Sequence, residues 1–248
     1  MTAPRDLRVA IAFLTRIPAD DGRILDADGL SRAASWFPVV GLLVGGVVGG
    51  VRVLADLALP AGPATVLAIA AGILLTGAFH EDGLADIADG VGAHVPRERK
   101  LEILRDSRVG TYGALAVALP LLLAYACLTP LDGEAFVAAV VTAHVLGRWS
   151  GLPHSRLAPP ARPDGSGALV RATTRGLIGA TVLATVTAFV AFGAADGAVI
   201  VGVALAVTLA GGLWLARVLG GTTGDSYGAV NKLVELATYA TVAALITG

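Results

Sequence analysis

ATVLAIAAGILLTGAFHEDGLADIADG, from Ala64 to Gly90, decides the fold. From Ala64 to Phe79 it carries no ionisable side chain; then Glu81, Asp82, Asp86 and Asp89 arrive within a few residues. A stretch this oily has no polar face to give to water. In hydrocarbon the backbone must satisfy its own hydrogen bonds, so it reads as a helix within a membrane with acid at its mouth.

The pattern repeats along the chain. Apolar segments fall at about 36–56, 63–80, 111–130, 134–151, 176–194, 197–216 and 229–247. Each spans ~30 Å of hydrocarbon at a rise of ~1.5 Å per residue. The short alternating segments of a β-barrel are absent. Of the 248 residues, 55% are hydrophobic and 15% charged, well below the roughly 25% charged of soluble domains. The mean hydropathy is +0.76. The 32 glycines suit close helix packing in lipid. The expected fold is all-α: a polytopic membrane bundle of about seven transmembrane helices in one catalytic domain, residues 1–248. Residues 1–35 form its cytoplasmic or interfacial N-terminal segment. There, Leu7, Ala10, Ile11, Leu14 and Ile17 recur at helical spacing, which fits a helix lying on the membrane or one packed on the rest of the protein. Pro120 is expected to kink the third segment, and Pro96 to start a short helix. A net charge of −1 offers no basic surface for nucleic acid. The single Cys127 forms no intrachain disulfide.

Loop charges orient the bundle. Arg5, Arg8, Arg16, Arg23 and Arg32 precede the first segment, Arg97, Arg99, Lys100, Arg105 and Arg108 follow the second, and Arg148, Arg156, Arg162, Arg171 and Arg175 flank the fourth loop. The intervening loops hold none beyond Arg52. The positive-inside rule then puts the N-terminus in the cytoplasm and the C-terminus outside. Every polar, patterned stretch lies on the cytoplasmic side, which favours an enzyme with cytoplasmic substrates over a transporter.

On a helix, Asp82, Asp86 and Asp89 (i, i+4, i+7) share one face within about 60° of arc, and Glu81 points about 100° away from Asp82. Carboxylates so close repel in a low dielectric. A hard cation such as Mg²⁺, which takes one or two carboxylates plus phosphate oxygens, relieves this; a solvated acidic helix end is the plain alternative. Glu81 ranks behind the three aspartates as a metal ligand. RDSRVGTYG (Arg105–Gly113) offers Arg105 and Arg108, the hydroxyls of Ser107 and Thr111, and amides at Gly110 and Gly113 to phosphate. It reads equally as a positive-inside loop with Asp106 or Ser107 as the helix N-cap. GGTTGDSYGAVNKLVE (Gly220–Glu235) sets Gly224 and Asp225 before a helix bearing Asn231 and Glu235. Asp225 is a metal ligand, a general base or an N-cap. His80 borders the acidic helix as a phosphate ligand or proton shuttle. His144, inside an apolar segment, reads as a packing residue, and His94 and His154 read as loop residues. Together these point to displacement at phosphorus on a phosphorylated or diphosphate substrate.

The chain also resembles the cobalamin synthase (adenosylcobinamide-GDP ribazoletransferase) family. The matching stretches, in the family's order, are FLTRIP (Phe13–Pro18), WFPVVGLLVG (Trp36–Gly45), FHEDGLADIADG (Phe79–Gly90), RDSRVGTYGALA (Arg105–Ala116), GRW (Gly147–Trp149), ARPDGSG (Ala161–Gly167) and GGTTGDSYGAVNKLVE. ARPDGSG departs from the pattern at Pro163 and Ser166. The resemblance implies a Mg²⁺-dependent protein of the bacterial inner membrane acting last in nucleotide-loop assembly. Adenosylcobinamide-GDP and α-ribazole, or its 5′-phosphate, would give adenosylcobalamin, or its phosphate, and GMP. Asp82, Asp86 and Asp89 would hold Mg²⁺. Arg105 and Arg108 would hold phosphate, with Arg16, Asp106, Ser107, Gly110, Thr111, Gly113, Arg148, Gly224, Asn231 and Glu235 also at the substrates. Asp89, Asp225 or His80 would take the hydroxyl proton. Membrane lipid is the expected surround, and homo-oligomerisation is left open. CDP-alcohol phosphotransferases carry a longer aspartate pattern than this chain, and membrane prenyltransferases need a second DxxxD-type motif. A transporter would need mid-membrane carboxylates and repeated halves.

Overall fold

The computed structural model describes residues 3–19, 27–162 and 171–247, so Arg23 and most of ARPDGSG lie outside the described residues. Among the described residues the regular elements are helices, joined by short turns and loops, with an isolated parallel bridge between Pro160 and Thr222. The helices are α1 (Ala3–Leu14), α2 (Ala27–Ala34), α3 (Phe37–Ala55), α4 (Ala61–Thr76), α5 (Phe79–Gly92), α6 (Arg97–Ile103), α7 (Thr111–Leu128), α8 (Gly133–His154), α9 (Thr174–Leu219) and α10 (Gly224–Thr247).

Five of these are long and apolar enough to cross a membrane, or six if α4 and α5 form one bent span. The long α9 is itself two helices meeting at Gly193 (φ 77°, ψ 177°), and counting them apart reaches the seven apolar segments of the sequence. The two arms fold back on each other, for a Cβ at Gly197 would strike the backbone of Ala188 and Phe189. Large apolar side chains such as Leu54, Leu74, Leu119, Leu122 and Val190 are exposed on the outside of the bundle. That is where lipid replaces water as the favourable neighbour.

Helix α8 is the axis. Phe136, Leu146, Leu152 and the polar His144 and Arg148 are all buried along it. Helix α3 lies against it through Gly41 and Gly45, where a Cβ would meet the backbone of α8, whereas Gly46 and Gly50 face open space. Small residues on one face let the two backbones touch, and dispersion then replaces the missing hydrophobic drive. Arg52, counted above as a loop charge, is buried. It pairs with Asp56 at 2.8 Å, donates to Thr65 Oγ1 and Leu131 O, and stacks over Phe136. It therefore ties the α3–α4 connection and α4 to the α7–α8 connection.

Helix α1 packs on the bundle with Val9, Ala10 and Leu14 buried, whereas Ile17 lies beyond the helix and is exposed. Pro96 precedes α6, as its fixed φ favours. Pro120 sits inside an unbroken α7. His154, read as a loop residue, is the fully buried last residue of α8, edge-on to Tyr227 at 4.8 Å.

Candidate active site

The acidic helix is aimed by a sharp turn. Gly77 and Ala78 both adopt left-handed backbone (φ 68° and 59°), and α5 leaves α4 at 86°. At Gly77 glycine is required twice over: for its φ, and because a Cβ would meet the guanidinium of Arg16. The Arg16 N–H donates to Leu75 O at 2.8 Å. The turn thus carries the N-terminal FLTRIP stretch with it, and Phe13 meets Phe79 edge-on at 5.5 Å.

Helix α5 then crosses α10 at two glycines. A Cβ on Gly83 would lie 3.0 Å from Asp225 O, and Gly83 and Gly228 face each other Cα to Cα. This contact sets Asp225 beside the acidic face. The charges of Asp82, Asp225 and Asp89 all act on Asp86. Asp82 is exposed, and Asp86, Asp89 and Asp225 are half-buried, so the group opens to solvent. Arg162 stands beside it, 3.7 Å from Asp225 and donating to Leu101 O. A backbone clasp holds that loop: Ala161 N–H donates to Thr222 O, and Thr222 N–H to Pro159 O.

Asp89 departs from the reading as a free ligand. Its two oxygens accept the N–H groups of Gly110 (2.7 Å) and Gly113 (2.8 Å) at the start of α7. A carboxylate at a helix N-terminus is favoured by the unpaired amides and the macrodipole. Three corrections follow. The anion on the Gly110 and Gly113 amides is Asp89 rather than phosphate. The N-cap position is Gly110, not Asp106 or Ser107. The glycines of RVGTYG are there because a Cβ at either position would collide with the Asp89 carboxylate. Thr111 opens α7 and is exposed, as are Arg105 and Ser107. Arg108 forks onto Asp106, with Nε–Oδ1 at 2.9 Å and Nη2–Oδ2 at 2.5 Å. Those bonds hold the Asp106 carboxyl down to about 2. Free phosphate-binding capacity at Arg108 is reduced accordingly.

Beneath the aspartates lies a buried ionic network. Glu235 Oε1 accepts from Arg148 Nη1 at 3.0 Å and sits 2.9 Å from His144 Nδ1. Its Oε2 accepts from Lys232 Nζ at 2.6 Å. Lys232 also reaches Glu81 Oε1 at 3.0 Å. Glu81 is therefore turned away from the aspartate face and matched to a lysine, which removes it from the metal-ligand set. Gly147 packs directly against Glu235 and Asn231, bringing α8 and α10 close enough for this network. His80, itself buried, lines the cavities on both sides of Arg148.

Among the described residues, no three His, Cys, Asp or Glu side chains converge tightly enough to cage a metal ion by themselves. Mg²⁺ does not need such a cage, since it keeps waters and takes substrate phosphates. Half-exposed, mutually repelling oxygens at Asp82, Asp86 and Asp225 fit an ion completed by a diphosphate.

The family model for Cobalamin-5-phosphate synthase matches residues 6–243. The chain belongs to that family. It is 40% identical over 245 residues to the adenosylcobinamide-GDP ribazoletransferase of Ralstonia nicotianae, covering 94% of this chain and 93% of that one. It is 41% identical over 253 residues to the protein of that name from Bradyrhizobium diazoefficiens, covering 98% and 95%. The counterpart in Shewanella frigidimarina is 38% identical over 261 residues, covering 96% and 93%. No solved structure matches.

Three members of the site escaped the sequence reading. Lys232, just inside the last apolar segment, carries no role in the sequence reading, although a lysine three residues before Glu235 in an apolar helix is a visible signal of pairing. His144 was read as packing, yet it touches Glu235 and lines a cavity. Arg162 had no local signal, because its partner lies far along the chain.

Proposed function

We propose that Asp82 and Asp86 bind Mg²⁺ and the diphosphate of an activated donor, with Asp225 facing them across the Gly83–Gly228 contact as the base. The reaction belongs to an adenosylcobinamide-GDP ribazoletransferase, the last step in assembly of the cobalamin nucleotide loop. The observation that carries the site is the convergence of carboxylates from α5 and α10 at a solvent-open crossing of two glycines.

Mg²⁺ bound there supplies charge neutralisation for the diphosphate and for the charge that develops on the departing GMP. The chain's own residues do the rest. Asp225, steadied by Arg162, accepts the proton of the α-ribazole 3′-hydroxyl. The hydroxyl oxygen forms a bond to the cobinamide-side phosphorus, the bond from that phosphorus to GMP breaks, and GMP leaves. Arg162, beside Asp225, is the cation placed to meet phosphate oxygens, and Asp89 fixes the start of α7 against the acidic helix. α-Ribazole 5′-phosphate serves as acceptor in the same geometry.

The long Arg-bearing loops favour a cytoplasmic position for this face, with the chain in the bacterial inner membrane and its N-terminus inside. Membranes holding the protein should release GMP from adenosylcobinamide-GDP and α-ribazole only with Mg²⁺. Asp82→Asn, an exposed and nearly isosteric change, should abolish release while leaving expression and thermal stability unchanged. Near-normal turnover by that variant at ordinary Mg²⁺ would remove the metal role.

A further inference from the structure

The motif readings leave one cavity without a task. It lies between the N-terminal segment, the first turn of α5, α8 and the start of α10. One wall is aromatic. Phe13 stacks parallel on Phe37 at 5.8 Å and meets Phe79 edge-on, and Tyr227 lines the same space. The lining also carries polar side chains: His80, edge-on to Phe79 at 5.3 Å, with Arg148 and Asn231. Arg148 Nε, a donor, and Asn231 Oδ1, an acceptor, have no hydrogen-bond partner although both residues are almost fully buried. Buried polar atoms without partners are uncommon and call for an explanation.

The cavity adjoins the reacting groups. Gly224, which lines it, directly precedes Asp225, and Gly228, which also lines it, packs on Gly83 of the acidic helix. A nucleoside whose base enters this pocket carries its ribose toward the aspartates. The neighbouring cavity is lined instead by aliphatic side chains of α7, such as Val117 and Leu121, around the charged network, with Tyr239 as its aromatic.

We propose that the Phe13–Phe37–Phe79 pocket seats the flat aromatic base of the nucleoside acceptor, a dimethylbenzimidazole in ribazole. This rests on the ribazole-transfer reading above. The base offers π-faces to the aromatic wall and one ring nitrogen as an acceptor for an arginine N–H, and the ribose hydroxyls offer donors to an amide oxygen. It is uncharged, which suits an apolar pocket beside an internally balanced ionic network.

Gly151 supplies a clean test. It lines the pocket, and a Cβ there meets nothing within 4 Å. A larger side chain therefore starts in open space there, and Gly151→Leu is expected to occupy the cavity. In nanodiscs, Gly151→Leu should raise the KM for α-ribazole at least about tenfold, and Phe13→Leu about fivefold or more, within the usual range for losing a base–aromatic contact. The KM for adenosylcobinamide-GDP should stay within about twofold in both. Direct binding of α-ribazole to the purified protein, read by calorimetry without the donor, should weaken in parallel. Val117→Phe, which fills the neighbouring cavity, should leave the ribazole KM alone. Unchanged ribazole KM and binding in both pocket variants, with wild-type turnover intact, overturns the subsite alone. So does a rise in ribazole KM confined to Val117→Phe. Absence of GMP release from the wild type overturns the ribazole-transfer reading itself. Should Gly151→Leu lose its thermal transition, Phe13→Leu and the smaller Gly151→Ala carry the same comparison.

Discussion

Lys232→Met isolates the buried network under the aspartates. The ammonium sits 2.6 Å from Glu235 Oε2 and 3.0 Å from Glu81 Oε1, and Glu235 is 1% exposed. At an effective dielectric of about 20, unit charges 3 Å apart attract by roughly 5.5 kcal/mol. Desolvation of the ammonium offsets much of that, so the pair itself stabilises little. Removing one partner is different, because it leaves the carboxylates buried without their cation. Glu235 keeps Arg148 on its other oxygen, whereas the Glu81 ion pair is the one with Lys232, and its second oxygen already lacks a partner. The expected cost is about 3–5 kcal/mol, a large part of a typical folding free energy. It should appear in detergent as a marked drop in the thermal unfolding midpoint. Glu81→Gln added to Lys232→Met removes the more exposed stranded charge, and about half of the loss should return. A double-mutant cycle measures this directly. If Lys232→Met costs under about 1 kcal/mol, or Glu81→Gln makes the single variant worse, the network does not hold α5 on α10 as described.

Three further outcomes follow from the same geometry. Asp89→Asn loses the charge that receives the Gly110 and Gly113 amides, and should destabilise by about 1–3 kcal/mol; hydrogen exchange should rise first at the start of α7, and unchanged exchange there would exclude the capping role. Gly83→Ala must push α5 off Asp225 O, at a cost of about 1–3 kcal/mol; kcat should fall more than the KM for either substrate, and unaltered kcat would mean the glycine crossing does not set the carboxylate spacing. A reporter fused after α10 should be active outside the cytoplasm and silent within it, and the reverse would require one span fewer or more.

Much of the architecture was legible because membrane helices are written locally. An uncharged run long enough to span lipid has one way to satisfy its backbone, and seven such runs return as seven helical segments once α9 is divided at Gly193. The face shared by Asp82 and Asp86 was equally local, since 100° per residue is a property of one helix. The reading failed where a second helix chose the partner. Asp89 lies on the same face as the other two, yet it is drawn to the amides of α7, twenty-one residues on. Glycines taken for a phosphate loop proved to be clearance for that carboxylate. Asp106 and Arg108 are a local exception: separately plausible as substrate contacts, they pair with each other two residues apart.

The sequence by itself determined the solvent, the helices, the crowding of acid at one end of a span and, through its ordered motifs, the family. Tertiary structure decided which carboxylates remain available, which cation each one meets, and that Phe13, Phe37 and Phe79 share one wall. Periodicity along a helix fixes the direction of a side chain but not what stands opposite. In this bundle that is settled by glycines at 41, 45, 83, 147 and 228, which let particular backbones touch and so bring distant side chains within hydrogen-bonding reach.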